Sequence, residues 1–391
     1  VTGEGQIVKS GSDELIVTGD NNYSGGTTIS GGTLTADHAD SLGSGDIDNS
    51  GVLKVGEGEL ENILSGSGSL VKTGTGELTL SGDNSYSGGT TITGGTLTAD
   101  HADSLGSGDI DNSGVLKVGE GDLENTLSGS GSLVKTGTGE LTLSGGNDYS
   151  GGTTIIGGTL TADHADSLGS GDIDNSGVLQ VGEGELKNTL FGSGSLVKTG
   201  TGELTLNGDN DYSGGTTIDD GVLIADNADS LGTGAVANNG VLQVGEGELK
   251  NTLSGTGSLV KIGTGELTLN GDNDYSGGTT ITGGTLIAAS VNALGSGDID
   301  NSGVLQVGEG ELKNTLFGSG SLVKTGTGEL TLSGDNTYSG GTTISGGTLI
   351  AANVNALGSG DIDNSGTLIL DANGAFELAN VTTHSGATTA L

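Results

Sequence analysis

The sequence predicts an all-β fold, a right-handed parallel β-helix (a solenoid) in which short strands stack coil upon coil. The string "YSGGTT" occurs six times, with its tyrosines evenly spaced at positions 23, 86, 149, 212, 275 and 338. Runs such as "GELTLSG" alternate aliphatic and polar residues, which is typical of strands with one buried face. The chain has 391 residues, including 83 Gly, and only 2% of them are aromatic. This composition favours tight turns and a narrow aliphatic core over a compact globule.

Each 63-residue repeat divides into thirds of about 21 residues, and each third carries two or three strand-like runs. In one repeat the thirds begin at Gly68, Thr90 and Asp109. We therefore expect about three coils per repeat. No segment has a convincing helical period; "TADHADSLG" around His101 comes closest and predicts one helical turn or a loop. Repeats cover about residues 5–366 and divergent coils 367–391, so residues 1–391 are predicted to be a single β-helical fragment.

The charge of the chain excludes several classes of partner. With a formal net charge of −39, the chain is repelled by nucleic acid and by anionic membrane surfaces.

No apolar run reaches the 18 or more residues of a membrane-spanning helix. No signal peptide is visible and the first residue is Val1, so we expect a mature piece of a longer precursor.

One stretch, "DIDNSGVLKVGE", has the spacing of a helix–loop–helix calcium site. Asp46, Asp48 and Ser50 occupy the first, third and fifth positions, followed by Gly51 at the sixth and Glu57 at the twelfth. Full matches cover residues 46–57, 109–120, 172–183 and 298–309.

Two copies of this pattern are incomplete. One has Ala235 and Ala237 in place of the aspartates, and the last has Ala372 at the twelfth position. The flanking residues predict strands, whereas such a calcium loop needs flanking helices. We interpret "NSG" as an Asx-type turn between coils. Weak calcium binding by stacked aspartates on the surface is the alternative. The sequence predicts no metal-binding and no cofactor-binding residues.

Catalysis is not predicted either. A glycoside hydrolase needs two carboxylates in one cleft, whereas the acidic motifs here recur in most repeats. A lyase of this fold generally needs a strong cation, and Arg is absent. The recurring histidine is replaced by other residues in the later repeats, as expected of a solvated loop. The sequence therefore predicts no catalytic residues and a protein that is not an enzyme. In chain order the histidine position holds His38, His101, His164, Asn227, Ser290 and Asn353.

Two positions in the repeat change together, so that one lysine per repeat is kept while its place moves. Early repeats pair Lys54 and Lys117 with Glu61 and Glu124, and later repeats pair Gln180, Gln243 and Gln306 with Lys187, Lys250 and Lys313. We interpret this change as an adjustment of charges on an outward face. The alternative is that the face contacts an identical molecule.

The recurring tyrosine is interpreted as packing over a turn. The alternative is an exposed aromatic row that binds sugar or a partner.

The segment "GSLVKTGTGELTLSGDNSYSGGTTITGGTLTA" from Gly68 resembles the passenger-associated transport repeat of bacterial autotransporters. Related segments occur at the N-terminus and from Gly131, Gly194, Gly257 and Gly320. The resemblance implies a surface-displayed β-helical passenger of a type V secretion system, similar to self-associating adhesins of the AIDA type. It also implies attachment to the bacterial outer membrane through a C-terminal β-barrel, which is missing from this sequence.

We therefore expect an adhesin that mediates cell–cell aggregation, biofilm formation or surface attachment through repeated weak lateral contacts. The expected partners are identical passengers on neighbouring cells, and host or abiotic surfaces or glycans are further candidates. Neither nucleic acid nor direct membrane insertion of this fragment is expected. A passive stalk that presents a distal domain is the alternative function, and a polysaccharide-active β-helix is the third.

Overall fold

The computed structural model of the chain describes residues 1–371 and 375–391 and contains two compact units, Val1–Ser195 and Leu196–Leu391. In the N-terminal unit, Leu34 stacks on Leu15 and Leu53 stacks on Leu34, in parallel strands. In the C-terminal unit, Leu286 stacks on Leu267 in the same way. Each unit is a parallel β-solenoid, so the fold class predicted from the sequence is confirmed.

The strands fall into recurring types, named here by their sequence. The LVK strands are Ile7–Lys9, Ser69–Lys72, Ser132–Lys135, Ser195–Lys198, Ser258–Lys261 and Ser321–Lys324, and the ELTL strands are Glu14–Val17, Glu77–Leu80, Glu140–Leu143, Glu203–Leu206, Glu266–Leu269 and Glu329–Leu332. The Tyr strands are Asn22–Tyr23, Asp148–Tyr149, Asp211–Tyr212 and Asp274–Tyr275, and the TTI strands are Thr27–Ile29, Thr90–Ile92, Thr153–Ile155, Thr216–Ile218, Thr279–Ile281 and Thr342–Ile344.

The remaining types complete the repeat. The TLTADH strands are Thr33–His38, Thr96–His101, Thr159–His164, Val222–Asn227, Thr285–Ser290 and Thr348–Ala351, and the IDN strands are Ile47–Asn49, Ile110–Asn112, Ile173–Asn175, Val236–Asn238, Ile299–Asn301 and Ile362–Asn364. The long strands are Val52–Leu60, Val115–Leu123, Val178–Leu186, Val241–Leu249, Val304–Leu312 and Thr367–Leu370. The LSG strands are Leu64–Ser65, Leu127–Gly129, Leu190–Gly192, Leu253–Gly255 and Leu316–Phe317, and three further strands are Thr2–Gly3, Thr382–His384 and Ala387–Ala390.

In the part of the chain that the structure describes, helical structure is limited to short 3₁₀ turns. The segment around His101, for which we expected one helical turn or a loop, contains the turn Ala102–Leu105. Within residues 1–371 and 375–391, no helix is long and apolar enough to cross a membrane. The 3₁₀ turns are Ala39–Leu42, Ala102–Leu105, Ala165–Leu168, Ala228–Leu231 and Val291–Leu294.

The core is a ladder of aliphatic side chains that alternate with outward polar residues. Leu78 and Leu80 are buried while Thr79 between them is partly exposed. At one type of corner, adjacent coils approach each other so closely that only glycine fits. Gly95 has a φ of 65°, and a Cβ atom at this position would lie 2.4 Å from the carbonyl oxygen of Gly76 in the neighbouring coil.

The coils are shorter than one third of a repeat. Leu70 stacks on Leu53, and Thr90, Ile110 and Leu127 follow it one coil after another in a single column. The third coil after Leu70 is thus complete at Leu127, before the chain reaches the equivalent of Leu70 in the next repeat. A repeat therefore makes slightly more than three coils, because a coil such as that from Ile110 to Leu127 is shorter than the expected length of about 21 residues.

Because a repeat is slightly longer than three coils, each repeat begins at a different position around the solenoid axis from the repeat before it. Leu133, which corresponds to Leu70 one repeat later, stacks in a column on Leu116, Leu97 and Leu78. Leu70 and Leu78 lie on consecutive strands of one coil and therefore on different faces. The same register occurs in the C-terminal unit. Within each unit, equivalent outward residues of consecutive repeats thus point from different faces.

Candidate functional site

The calcium-like pattern lies along an extended backbone. Its first half belongs to the strand Ile47–Asn49, and its second half to the strand Val52–Leu60. The Oδ1 of Asn49 accepts a hydrogen bond of 3.0 Å from the N–H of Gly51, which is an Asx turn. The Nδ2 of Asn49 donates to the carbonyl oxygen of Ser69 in the next coil at 2.9 Å. The predicted Asx turn is confirmed, and the same buried asparagine also connects two coils.

Glu57, the glutamate at the twelfth position of the calcium-like pattern, influences the pKa of a buried lysine. The side chain of Lys72 has no exposed surface, and its Nζ donates to the carbonyl oxygen of Thr73 at 2.5 Å. Burial lowers the pKa of Lys72, and the negative charge of Glu57 opposes this shift. This role of Glu57 was not among the expectations from the sequence. The alternation was the signal, because Lys72 is two residues after the inward Leu70 and is therefore in phase with the core. The same relation joins Lys135 to Glu120, Lys261 to Glu246 and Lys324 to Glu309.

No group of three or more His, Asp or Glu side chains in the described residues is arranged to hold a metal ion. Ala372, at the twelfth position of the last copy, lies outside the described residues. The expectations of no metal, cofactor or catalytic residue stay predictions.

The recurring tyrosines belong to the core. Tyr86 has no exposed surface, and its hydroxyl lies 2.6 Å from the Oγ1 of Thr90. Burial raises the pKa of Tyr86, and the hydrogen bond with Thr90 opposes the shift only in part. The interpretation as packing over a turn is confirmed, and the alternative of an exposed aromatic row is wrong for all six copies. These copies are Tyr23, Tyr86, Tyr149, Tyr212, Tyr275 and Tyr338.

The recurring histidine caps a 3₁₀ turn. The Nδ1 of His101 accepts a hydrogen bond of 3.3 Å from the backbone N–H of Asp103. Where the sequence changes, the cap remains: Asn227 accepts from the N–H of Asp229 at 3.0 Å, and Ser290 makes the corresponding bond at 3.3 Å. The variation at this position, which we expected of a solvated loop, therefore keeps one hydrogen-bond acceptor. The signal in the sequence was that His, Asn and Ser can all cap a turn.

The moving lysine has other partners than its sequence neighbours suggested. Lys117 lies 3.5 Å from the carboxylate of Glu77, which belongs to another coil, and not beside Glu124. The hydrogen bond from Thr98 is the main cause of the lowered pKa of Glu77, and the charge of Lys117 adds to it. In later repeats, Lys187 lies 3.3 Å from Glu185. These exposed pairs contribute little stability. Whether the surface that carries them contacts an identical molecule stays a prediction.

Two phenylalanines face solvent, and sequence analysis overlooked them. Phe191 is 38% exposed and Phe317 is 36% exposed, in spite of their size. Each follows an inward leucine in an LSG strand, so the alternation points it outward. The corresponding positions in other repeats hold Ser65, Ser128 and Ser254.

A model of the Passenger-associated-transport-repeat family matches six segments. Each segment begins in an LVK strand and ends in the TLTADH strand that follows it. In contrast to the buried tyrosines and lysines of these segments, the exposed phenylalanines lie outside them. The matched residues are 7–36, 70–99, 133–162, 196–225, 259–288 and 322–351.

Curated proteins of two bacteria are similar to this chain. The Adhesin BmaC autotransporter of Brucella suis biovar 1 (strain 1330) is 31% identical over a 448-residue alignment that covers 76% of this chain and 13% of that protein. YdeK of Escherichia coli (strain K12), described as an uncharacterized lipoprotein, is 31% identical over 302 residues, covering 73% of this chain and 20% of that protein. The chain thus spans a fifth or less of either relative. No solved structure matches it significantly.

Proposed function

Because the chain belongs to the autotransporter passengers built of passenger-associated transport repeats, we propose that it acts as a surface-displayed adhesin. It mediates cell–cell aggregation, biofilm formation or surface attachment through many weak lateral contacts between identical passengers. The Brucella suis relative that carries the word adhesin in its name supports this proposal. The role is structural and not enzymatic.

The observation that carries the proposal is the phase of the repeat within each unit. A 63-residue repeat exceeds three coils, so consecutive repeats present the same outward residues on different faces. A neighbouring molecule then meets the same outward residues on whichever of these faces it approaches. Repeated weak contacts add to a strong overall attachment when several form together.

The proposal places the passenger outside the cell, held to the outer membrane by a C-terminal barrel of the whole protein. The relatives named as an autotransporter and as a lipoprotein support a location at the outer membrane or cell surface. The net charge of −39 makes two passengers repel each other at low ionic strength. Aggregation is therefore expected to strengthen as the ionic strength rises towards about 0.15 M.

Display of the whole protein on a bacterium that does not aggregate tests the proposal. Cells with the passenger are expected to settle faster and to attach more strongly to plastic or host cells than cells with the same anchor but no passenger. Protease added to intact cells should remove both the passenger and the effect. Displayed passenger that causes neither settling nor attachment would refute the adhesive function.

A passive stalk is the second candidate. It is favoured by the fact that most recurring features of the repeat serve the interior, as shown by the buried Tyr86, Lys72 and Asn49. A stalk would change how far a distal domain reaches from the cell but would itself bind nothing. Binding of soluble passenger to displaying cells separates the two functions, because it does not depend on reach.

A further inference from the structure

Phe191 and Phe317 belong to two equivalent outward ladders. In the N-terminal unit, Thr154, Asp174 and Phe191 are partners on three successive coils. In the C-terminal unit, Thr280, Asp300 and Phe317 repeat this arrangement. Each ladder spans two strand spacings, about 10 Å, which is long enough for two linked sugar rings.

Each phenylalanine borders a shallow depression of about 520 Å³. In the N-terminal unit it is lined by Phe191 together with Asp172, Asp174 and Thr154, and by the backbone of Gly151 and Gly152. The C-terminal depression is lined by the equivalent residues two repeats later. A depression with the same lining thus occurs in both units.

The phenylalanine occurs in repeats that have the aspartate, although two other repeats combine the aspartate with a serine, in the pairs Asp48–Ser65 and Asp111–Ser128. The repeats with Phe191 and Phe317 keep the aspartate below the ring, at Asp174 and Asp300. The repeat between them has Ser254 in place of the phenylalanine and Ala237 in place of the aspartate. The aromatic ring therefore occurs only where a carboxylate adjoins it, although packing needs neither of them.

This combination of groups fits a carbohydrate. The face of an aromatic ring carries partial negative charge, which attracts the weakly positive C–H bonds on one side of a sugar ring. A carboxylate accepts hydrogen bonds from sugar hydroxyls, and a threonine hydroxyl both donates and accepts. The site contains aspartates but no lysine or arginine, and the chain has a net charge of −39. An acidic sugar would therefore be repelled.

We propose that Phe191 and Phe317 are the aromatic platforms of two equivalent binding sites for neutral oligosaccharides. Asp174 and Asp300 accept hydrogen bonds from the sugar hydroxyls at these sites. The inference deepens the adhesive function, because it gives the passenger a glycan partner in addition to its own copies. Two sites on one chain increase attachment to a surface that carries many copies of a glycan.

Calorimetric titration of the 391-residue chain with neutral tetrasaccharides of glucose or of N-acetylglucosamine tests the proposal. We expect one of them to bind with a stoichiometry of two, and tetragalacturonate not to bind. Phe191→Ser and Phe317→Ser should each reduce the stoichiometry to one, and the double variant should lose binding at least tenfold. These variants introduce the serine that other repeats carry at the same position, so the fold is preserved.

Two serine-to-phenylalanine substitutions provide the matched control. Ser128→Phe places a ring above Asp111 and is expected to add a third site, whereas Ser254→Phe places a ring above Ala237 and should add none. Equal binding by the double serine variant, equal binding of tetragalacturonate, or no binding of either neutral sugar would overturn the proposal. So would a double variant whose sedimentation shows the loss of a dimer, since the rings would then contact a second copy. Cell aggregation by the double variant, measured separately, reports on the adhesive function whether or not sugar binds.

Discussion

The hydroxyl oxygen of Tyr86 lies 2.6 Å from the Oγ1 of Thr90, and both groups are sealed inside a corner of the solenoid. The same bond recurs in every repeat, with distances of 2.6 to 2.7 Å. A buried phenol that shares a hydrogen bond with a buried hydroxyl cannot ionise without leaving a charge in an apolar site. These tyrosines therefore report on the integrity of each corner.

The first prediction concerns alkaline pH. Burial raises the pKa of Tyr275 and of Tyr338 to about 12, whereas a phenol in the unfolded chain ionises near pH 10. The raised pKa contributes stability that is present below pH 10 and is lost as pH rises towards 12. Absorbance of tyrosinate in the near ultraviolet should therefore rise late and together with loss of the β-sheet circular dichroism signal. Tyrosines that titrate near pH 10 in a folded chain would contradict the buried corner.

Tyrosine absorbance is the appropriate signal because the buried lysines change the stability of the fold with pH in the opposite direction to the tyrosines. Burial lowers the pKa of Lys135, so the folded state loses this proton before the unfolded chain does, and the loss stabilises the folded state as pH rises towards 10.5. A stability curve alone would combine both effects, whereas the phenol signal isolates one of them.

The second prediction tests the partner of the buried lysine. Glu120→Gln removes the charge that supports protonated Lys135 and is expected to cost about 1 kcal/mol of local stability. Glu124→Gln changes an exposed carboxylate a few residues away and should cost less than about 0.5 kcal/mol. Hydrogen exchange of the coil around Lys135 measures both variants. Equal effects of the two substitutions would show that Glu120 does not stabilise the lysine.

The alternation of apolar and polar residues along the sequence made the strands and part of the core predictable. The period of two predicted the strands and the solenoid, and it also places Lys72 in phase with Leu70, although a charged residue is usually assigned to the surface. The length of a coil was not predictable, because glycine-rich corners use different numbers of residues. Only the register, in which Leu127 stacks on Ile110, shows how short a coil can be.

The third prediction concerns the cap of the 3₁₀ turn. His101→Ala removes the acceptor for the N–H of Asp103 and is expected to cost about 1 kcal/mol. His101→Asn should be nearly neutral, because Asn227 makes the equivalent bond at 3.0 Å. Exchange of the Asp103 amide hydrogen measures the cap directly. Similar exchange in the two variants would mean that the side-chain acceptor contributes nothing.

The fourth prediction separates a turn from a calcium site. Asn112→Ala leaves the N–H of Gly114 and a carbonyl of the next coil without their partner, at a cost of about 1–3 kcal/mol. Asp111→Ala should be close to neutral, since Ala237 occupies the corresponding place in another repeat. Urea denaturation compares the two variants.

Calcium titration completes this comparison. Calorimetry of the whole chain is expected to show no stoichiometric binding, because the aspartates of the pattern lie along an extended strand. About four calcium ions per chain, with one lost in Asp111→Ala, would establish the loops as metal sites.

The fifth prediction addresses the adhesive function through the number of repeats. Removal of residues 68–130 deletes one repeat and joins two equivalent positions, so the local sequence stays continuous. Soluble chains with six, five and four repeats can then be added to cells that display the whole protein. An inert protein of similar charge serves as the control.

Binding of these soluble chains, followed by flow cytometry, tests the central claim most directly. If repeated lateral contacts between identical passengers cause adhesion, the apparent Kd should weaken several-fold with each repeat removed. Binding no greater than that of the control protein, or an apparent Kd independent of repeat number, would contradict it.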